Sequence, residues 1–228
     1  MLRAGGLLGL PTETVYGLAA DAESEAAVAR IYSVKGRPTG HPVIVHVASS
    51  SQLSDWAVDV PEFARELAAA FWPGPMTLVL HRSARAADFI TGGQHTVAVR
   101  VPNHPVALAV LAEFGGGVAA PSANRFGAVS PTRAQDVVSD LAELLDSSDA
   151  VIDGGRCDVG VESTIIDCTG PLPVVLRPGA ITAADIRRVT GLDLGQAQSR
   201  IKAPGTLASH YAPSAEVLLC ADSAEFTE

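Results

Sequence analysis

Two cations one residue apart, Lys35 and Arg37, flank Gly36 and are followed by Pro38 and then by His41-Pro42. Such a pair suits a polyphosphate, with arginine gripping oxygens in bidentate fashion and lysine acting as a point charge. The same residues would equally answer the negative end of a preceding helix dipole. Pro11-Thr12-Glu13-Thr14-Val15-Tyr16-Gly17 follows a strand-like run, where α/β sheets place their ligand loops. Its hydroxyls and carboxylate could hold a small zwitterion, or form a turn that binds nothing. Pro121-Ser122-Ala123-Asn124, with Ser130-Pro131-Thr132 beyond it, brings short hydroxyl and amide side chains to another strand exit. These could read a nucleotide or a carboxylate, or serve as turns and caps, and Thr132 is expected to cap the next helix. Arg100 stands among Val and Ala in Thr96 to Val101, where a charge must face solvent or an anionic partner. Arg177 leaves the apolar run Val174–Leu176 in the same way, after Gly160-Val161-Glu162-Ser163-Thr164.

Several chemistries have no residues to carry them. There is no GxxxxGK[ST] phosphate loop, no GxGxxG after a strand and no GxSxG elbow. The six histidines lack metal-ligand spacing, and Cys157 has no evident histidine partner. The formal net charge of −9, with 16 Lys and Arg, argues against a general nucleic-acid binder and makes each basic cluster more telling. No apolar run approaches the roughly 20 residues that span a bilayer. The three cysteines are widely spaced and read as reduced thiols of a cytoplasmic protein.

The elements that must position these residues alternate in type. Strand-like runs fall at Gly6–Leu10, Pro42–Val47, Met76–His81, Thr96–Val101, Val118–Pro121, Ala150–Asp153, Thr164–Cys168 and Val174–Leu176. Helical spacing marks Ser24–Val34, Pro61–Phe71, Thr132–Leu145 and Thr182–Thr190. In the third of these, Val137, Val138, Leu141, Leu144 and Leu145 form the expected buried stripe. The alternation, with some strands lacking a helix between them, predicts an α/β domain on an open mixed sheet. After Gly191 the chain turns polar and aperiodic over 192–213, which reads as a linker, and Glu216–Cys220 reads as a further strand. The expected division is a domain over 1–191, the linker, and at 214–228 the start of a C-terminal domain that is otherwise truncated.

Read together, PTETVYGLAAD, KGRP with HPVIVHV, WPGPMTLVL, TVAVRVP, APSAN, GVESTIID and LRPGAI resemble the YrdC-like threonylcarbamoyl-AMP synthase family over nearly the whole chain. Lys202 to Pro213, ending in HYAP, is similar to the linker of the longer, two-domain version, where it folds back over the active site. The resemblance implies an open, twisted α/β sheet with a large concave, positively lined cavity. It implies L-threonine contacts at Thr14, His46, Arg100, Ser122 and Ser163. It implies ATP contacts at Lys35, Arg37, His41, Thr96, Asn124, Thr132, Arg177 and, in the linker, His210, with Lys35 and Arg37 catalytic. Two departures stand out: Gly205-Thr206-Leu207 replaces the family's Gly-Met-Lys-Tyr, and little sequence precedes the first strand.

The implied reaction joins L-threonine, bicarbonate or CO₂, and ATP into threonylcarbamoyl-adenylate, with pyrophosphate leaving. The product would pass to tRNA threonylcarbamoyltransferase proteins that modify the adenosine next to the anticodon. Mg²⁺ would arrive with ATP, without a protein metal site or a membrane partner, and direct contact with tRNA is compatible but not required. Such a transfer needs positioning and charge neutralisation more than a protein nucleophile. Two other readings stay open: an RNA-binding module without synthase activity, and a carbamoyl-adenylate-forming carbamoyltransferase domain.

Overall fold

Short runs rich in Val, Ile, Leu and Ala assemble into one mixed sheet, because each buries alternate side chains on opposite faces. The computed structural model describes residues 1–196 and 201–204. Within them the strands are β1 (Leu8–Leu10), β2 (Gly17–Asp21), β3 (Ile44–His46), β4 (Ala57–Val58), β5 (Met76–Arg82), β6 (Thr96–Arg100), β7 (Val118–Ala119), β8 (Ala150–Val151), β9 (Thr164–Asp167) and β10 (Val174–Arg177). The helices are α1 (Glu25–Lys35), α2 (Leu53–Trp56), α3 (Glu62–Phe71), α4 (Asp88–Thr91), α5 (Pro105–Phe114), α6 (Ala134–Leu141) and α7 (Ala183–Thr190). The strand order is β10-β9-β5-β6-β3-β7-β2-β1-β8, with β4 on the end of β5. Parallel pairs (β3 with β6, β5 with β9, β1 with β8) mix with antiparallel ones, as the irregular helix spacing predicts.

Period-two alternation decides what faces what. Val43, Val45, Val47, Val97, Val99, Val101, Leu78 and Leu80 point into the main core, which α1, α3, α6 and α7 cover. The intervening residues Ile44, His46, Ala98, Arg100, Thr77 and Val79 point to the opposite face. There α5 packs Ala107, Leu111 and Phe114 on Leu8, Leu10, Ala19 and Val118 at one end of the sheet only. Towards the other end Ile44, Val79, Ala98 and Ile165 meet Ala203 and Ile201 instead. A gap on this face, between α5 and the segment Ile201–Pro204, is where polar strand residues remain accessible to a ligand.

The structure adds two elements and corrects one cap. β2 joins β1 in an antiparallel hairpin, so Pro11–Tyr16 is a strand-to-strand loop. The apolar segment Pro105–Phe114 is a helix, α5, with His104 Nδ1 accepting from Val106 N at 3.2 Å at its start. Thr132 does not cap α6; the N-cap is Arg133, and the Asp136 carboxylate accepts from Thr132 N and Arg133 N instead. The expected buried stripe is also shorter. Val137 and Leu141 are buried, whereas Val138, one position off that face of α6, and Leu144, in the 3-10 turn that follows at Ala142, are exposed. His210 and the strand expected at Glu216–Cys220 lie outside the described residues.

Candidate active site

Several segments converge on the gap. The β1–β2 loop gives Thr12, Thr14 and Val15; β3 gives Ile44 and His46; β6 gives Arg100. The segment after β7 gives Ala120, Pro121 and Ser122, and Arg37, Glu162, Arg177 and Pro204 complete the lining of a cleft of about 450 Å³, counting its solvent-open part. Pro204 roofs the cleft on one side.

At one end stands Arg100. It follows β3 in parallel register, so that His46 and Arg100 lie side by side at the ends of their strands. Its Nη1 donates to Thr14 Oγ1 at 2.9 Å and its Nε to Gly74 O at 3.2 Å. Nη2 approaches Glu13 Oε1 at 2.7 Å, and both side chains are almost wholly buried. The approach lacks hydrogen-bond alignment, so Nη2 and both Glu13 oxygens lack a directed partner and the contact is Coulombic. The Glu13 carboxylate, expected to be a ligand group, is therefore committed to Arg100 from behind. His46 is fully buried, with Nδ1 unpartnered, and burial followed by the Arg100 charge pulls its pKa down to about 3. It is a neutral imidazole at any ordinary pH.

Arg177 holds the other end. Plain alternation would send it to the same face as Val175, but a bulge between the two shifts the register against β9. Bulges re-aim side chains in this way. Arg177 then donates through Nε to Ser163 O at 3.0 Å, through Nη2 to Ser163 Oγ at 3.0 Å and through Nη1 to Pro204 O at 3.1 Å. Glu162 Oε2 lies 3.4 Å from Nη2, and Glu162 Oε1 accepts from Ser130 Oγ at 2.8 Å. Ser163 Oγ also meets Thr77 Oγ1 at 2.8 Å.

The Lys35–Arg37 pair closes the third side. α1 starts at Ser24, whose hydroxyl accepts from Ala27 N, and ends at Gly36, whose φ of 61° turns the chain back. Lys35 is thereby buried, and Nζ donates to Ser122 O at 2.5 Å and to Asn124 O. Its charge sits behind the Ser122–Asn124 loop, and burial, then repulsion from Arg37, lowers its pKa to about 7. Arg37 Nη2 donates to Pro42 O at 2.8 Å, and its guanidinium lies over Phe126, against which His41 packs edge-on at 5.6 Å. Asn124 spends both amide hydrogens on Arg125 O and Ala128 O, each at 2.8 Å, leaving Oδ1 buried and unpartnered.

Of the sequence candidates, Thr14, Arg37, His46, Arg100, Ser122 and Arg177 line the cleft, while Lys35, Asn124 and Ser163 touch its walls from behind. His41 reaches the group through Phe126. Thr96 opens β6, four residues from Arg100, and is not part of the cleft lining. Thr132 is likewise outside it; its carbonyl accepts from Cys157 N at 2.9 Å. Sequence reasoning missed Tyr16, whose hydroxyl donates to Gly155 O at 2.7 Å and accepts from Gly154 N at 3.1 Å, fixing the glycine-rich loop beside the site. It also missed Gln94. Burial raises the Cys157 thiol to about 11, in keeping with a structural residue. Among the described residues no cluster of three or more His, Cys, Asp or Glu could hold a metal, and no helix is long and apolar enough to cross a membrane.

The threonylcarbamoyl-AMP synthases of Pyrococcus abyssi and Bacillus subtilis are 47% and 44% identical to this chain over 224 and 231 residues, covering 96% and 99% of it. The chain spans 65% and 66% of their lengths, so it is similar to about two thirds of each. The crystal structure of P. abyssi Sua5 complexed with L-threonine superposes with a TM-score of 0.87 at 47% identity, over 94% of this chain and 64% of that one. A threonylcarbamoyl-AMP synthase C-terminal domain model matches residues 181–228. With the model of the Sua5, YciO and YrdC proteins, described as telomere recombination, matching residues 1–179, the chain belongs to that family.

Proposed function

We propose that this chain forms threonylcarbamoyl-adenylate and pyrophosphate from L-threonine, bicarbonate or CO₂, and ATP, for modification of the tRNA adenosine next to the anticodon by downstream threonylcarbamoyltransferase proteins. One observation supports the reading: three buried arginines, Arg37, Arg100 and Arg177, converge on a single cleft, with the Lys35 ammonium directly behind its Ser122–Asn124 wall. That arrangement offers separate anion stations for an amino-acid carboxylate and for a polyphosphate.

In this reading Arg100, steadied by Glu13, Thr14 and Gly74 O, takes the threonine carboxylate. Neutral His46 contributes a hydrogen bond rather than charge, and Ser122 and Ser163 supply further polar contacts. The threonine amine attacks the carbon of CO₂ and loses a proton, giving an N-carboxylate. A carboxylate oxygen then attacks the α-phosphorus, the α–β P–O bond breaks, and pyrophosphate leaves with its electron pair. Lys35, Arg37 and Arg177 balance the charge that grows on the phosphates, with His41 and Asn124 positioned beside them. Mg²⁺ arriving with the triphosphate would supply further charge neutralisation, without protein ligands of its own. The roof at Pro204 would limit hydrolysis of the mixed anhydride.

Pyrophosphate release, measured with and without threonine and bicarbonate, tests the proposal. Release that depends on both is the expected result; release indifferent to threonine would defeat it. Lys35→Ala and Arg37→Ala should each abolish ATP consumption while leaving the circular dichroism spectrum unchanged.

A further inference from the structure

Gln94 lies just ahead of β6, and its side-chain amide does what a neighbouring strand would do. Nε2 donates to Lys202 O at 3.0 Å, while Oε1 accepts from Lys202 N at 2.7 Å. Both polar groups of one backbone residue are thus paired by a single side chain. Nε2 also donates to Thr91 O at 3.3 Å, tying the amide to the turn that ends α4. That turn packs hard against the loop carrying His41, for a Cβ on Gly92 would lie 2.7 Å from Gly40 O.

From this anchor Ile201 and Ala203 lie on the sheet surface made by Ile44, Val79, Ala98 and Ile165. The segment then reaches Pro204, whose carbonyl accepts from Arg177. Ala203 and Pro204 are the buried members of this short strap, so its apolar anchorage is small and its hydrogen bonds weigh heavily. The strap crosses from the Gln94 side of the sheet to Arg177, roofing the cleft between them. It also brings the Lys202 ammonium near His41, whose pKa is lowered by burial first, then by Arg37 and Lys202.

We propose that Gln94 is a positioning residue that seats the strap, and thereby sets the geometry of the nucleotide end of the cleft. The nucleotide part rests on the synthase reading; the seating itself does not.

Trypsin cutting after Lys202 must draw the Lys202–Ala203 bond out into an extended form, so the clamp must open first. Gln94→Ala removes two hydrogen bonds to the strap and should speed that cleavage by about tenfold in the ligand-free protein. Gln94→Glu keeps an acceptor for Lys202 N but loses the donor to Lys202 O, and should fall between. Melting temperature should not change in either variant, since half-exposed Gln94 supports no core. MgATP affinity, measured by calorimetry, should weaken several-fold in Gln94→Ala. Cleavage after Lys202 at the unaltered rate would overturn the seating, and unaltered MgATP affinity would overturn the link to the nucleotide. Absence of MgATP binding by the unaltered protein would instead sink the synthase reading, and the cleavage rates would still report on Gln94.

Discussion

His46 offers the sharpest test of how the cleft is built. The side chain is buried beside Arg100 and titrates near pH 3 in the folded protein, against 6.5 for an unperturbed imidazole. Between those values the unfolded chain takes up a proton that the folded one refuses. Stability must therefore fall as the pH drops from 6.5 towards 3, with a slope of about 1.4 kcal/mol per pH unit from this residue alone. Above 6.5 both states are neutral and the contribution vanishes. Two units below, near pH 4.5, the accumulated loss is about 3 kcal/mol, a large share of the stability of an ordinary domain. His46→Gln has nothing to titrate in that window, while every carboxylate of the protein is retained. The measurement is urea unfolding of both proteins at neutral pH and near pH 4.5, comparing how far each midpoint moves. The variant should lose less stability on acidification than the parent, whatever its stability at neutral pH. Identical losses would mean that His46 is protonated in the folded state, and the neutral imidazole proposed for the site would have to be abandoned.

Other perturbations follow from the same geometry. Burial brings Lys35 down to about 7, so on the proposed reading ATP binding above that pH takes up a proton, and affinity should fall by up to about tenfold per pH unit. Titration calorimetry should show Lys35→Met binding ATP more weakly and without that slope. Glu13→Gln strips the buried Arg100 charge of its counter-ion and should cost about 3–5 kcal/mol in urea unfolding; no change would show that Thr14 and Gly74 suffice. Tyr16→Phe removes the hydroxyl shared by Gly154 and Gly155 and should cost about 1–3 kcal/mol. Hydrogen exchange at Gly154 should rise sharply in that variant, with exchange in β5 and β6 moving only by the global loss.

What the chain disclosed as a string of letters was its contrast. The apolar runs of β5 and β6 lie between proline and polar residues, and α3 shows a clear apolar stripe, so each stands out from its surroundings. β2 does not, because Gly17, Leu18, Ala19 and Ala20 are buried on both faces of a central strand and give no alternation to read. α5 fails for the opposite reason: it is apolar almost throughout, although only Ala107, Leu111 and Phe114 are buried. In the site, residues announced by their chemistry were found readily, including arginines inside apolar runs. Their orientation was not, since it depends on a bulge before Arg177 and on the register of β3 against β6. Gln94 gave no signal, because a glutamine in a polar loop says nothing of the backbone that arrives 108 residues later.

That register has a consequence for how the protein can vary. Ile44 faces Ala98, Val45 faces Val99 and His46 faces Arg100. Adding or deleting a single amino acid within either run would keep a plausible β ribbon but exchange polar for aliphatic groups along the cleft floor. Length changes that leave the cleft intact should thus be confined to connections such as 169–172, and a shortened or lengthened β3 or β6 should yield a folded protein that lacks the proposed activity.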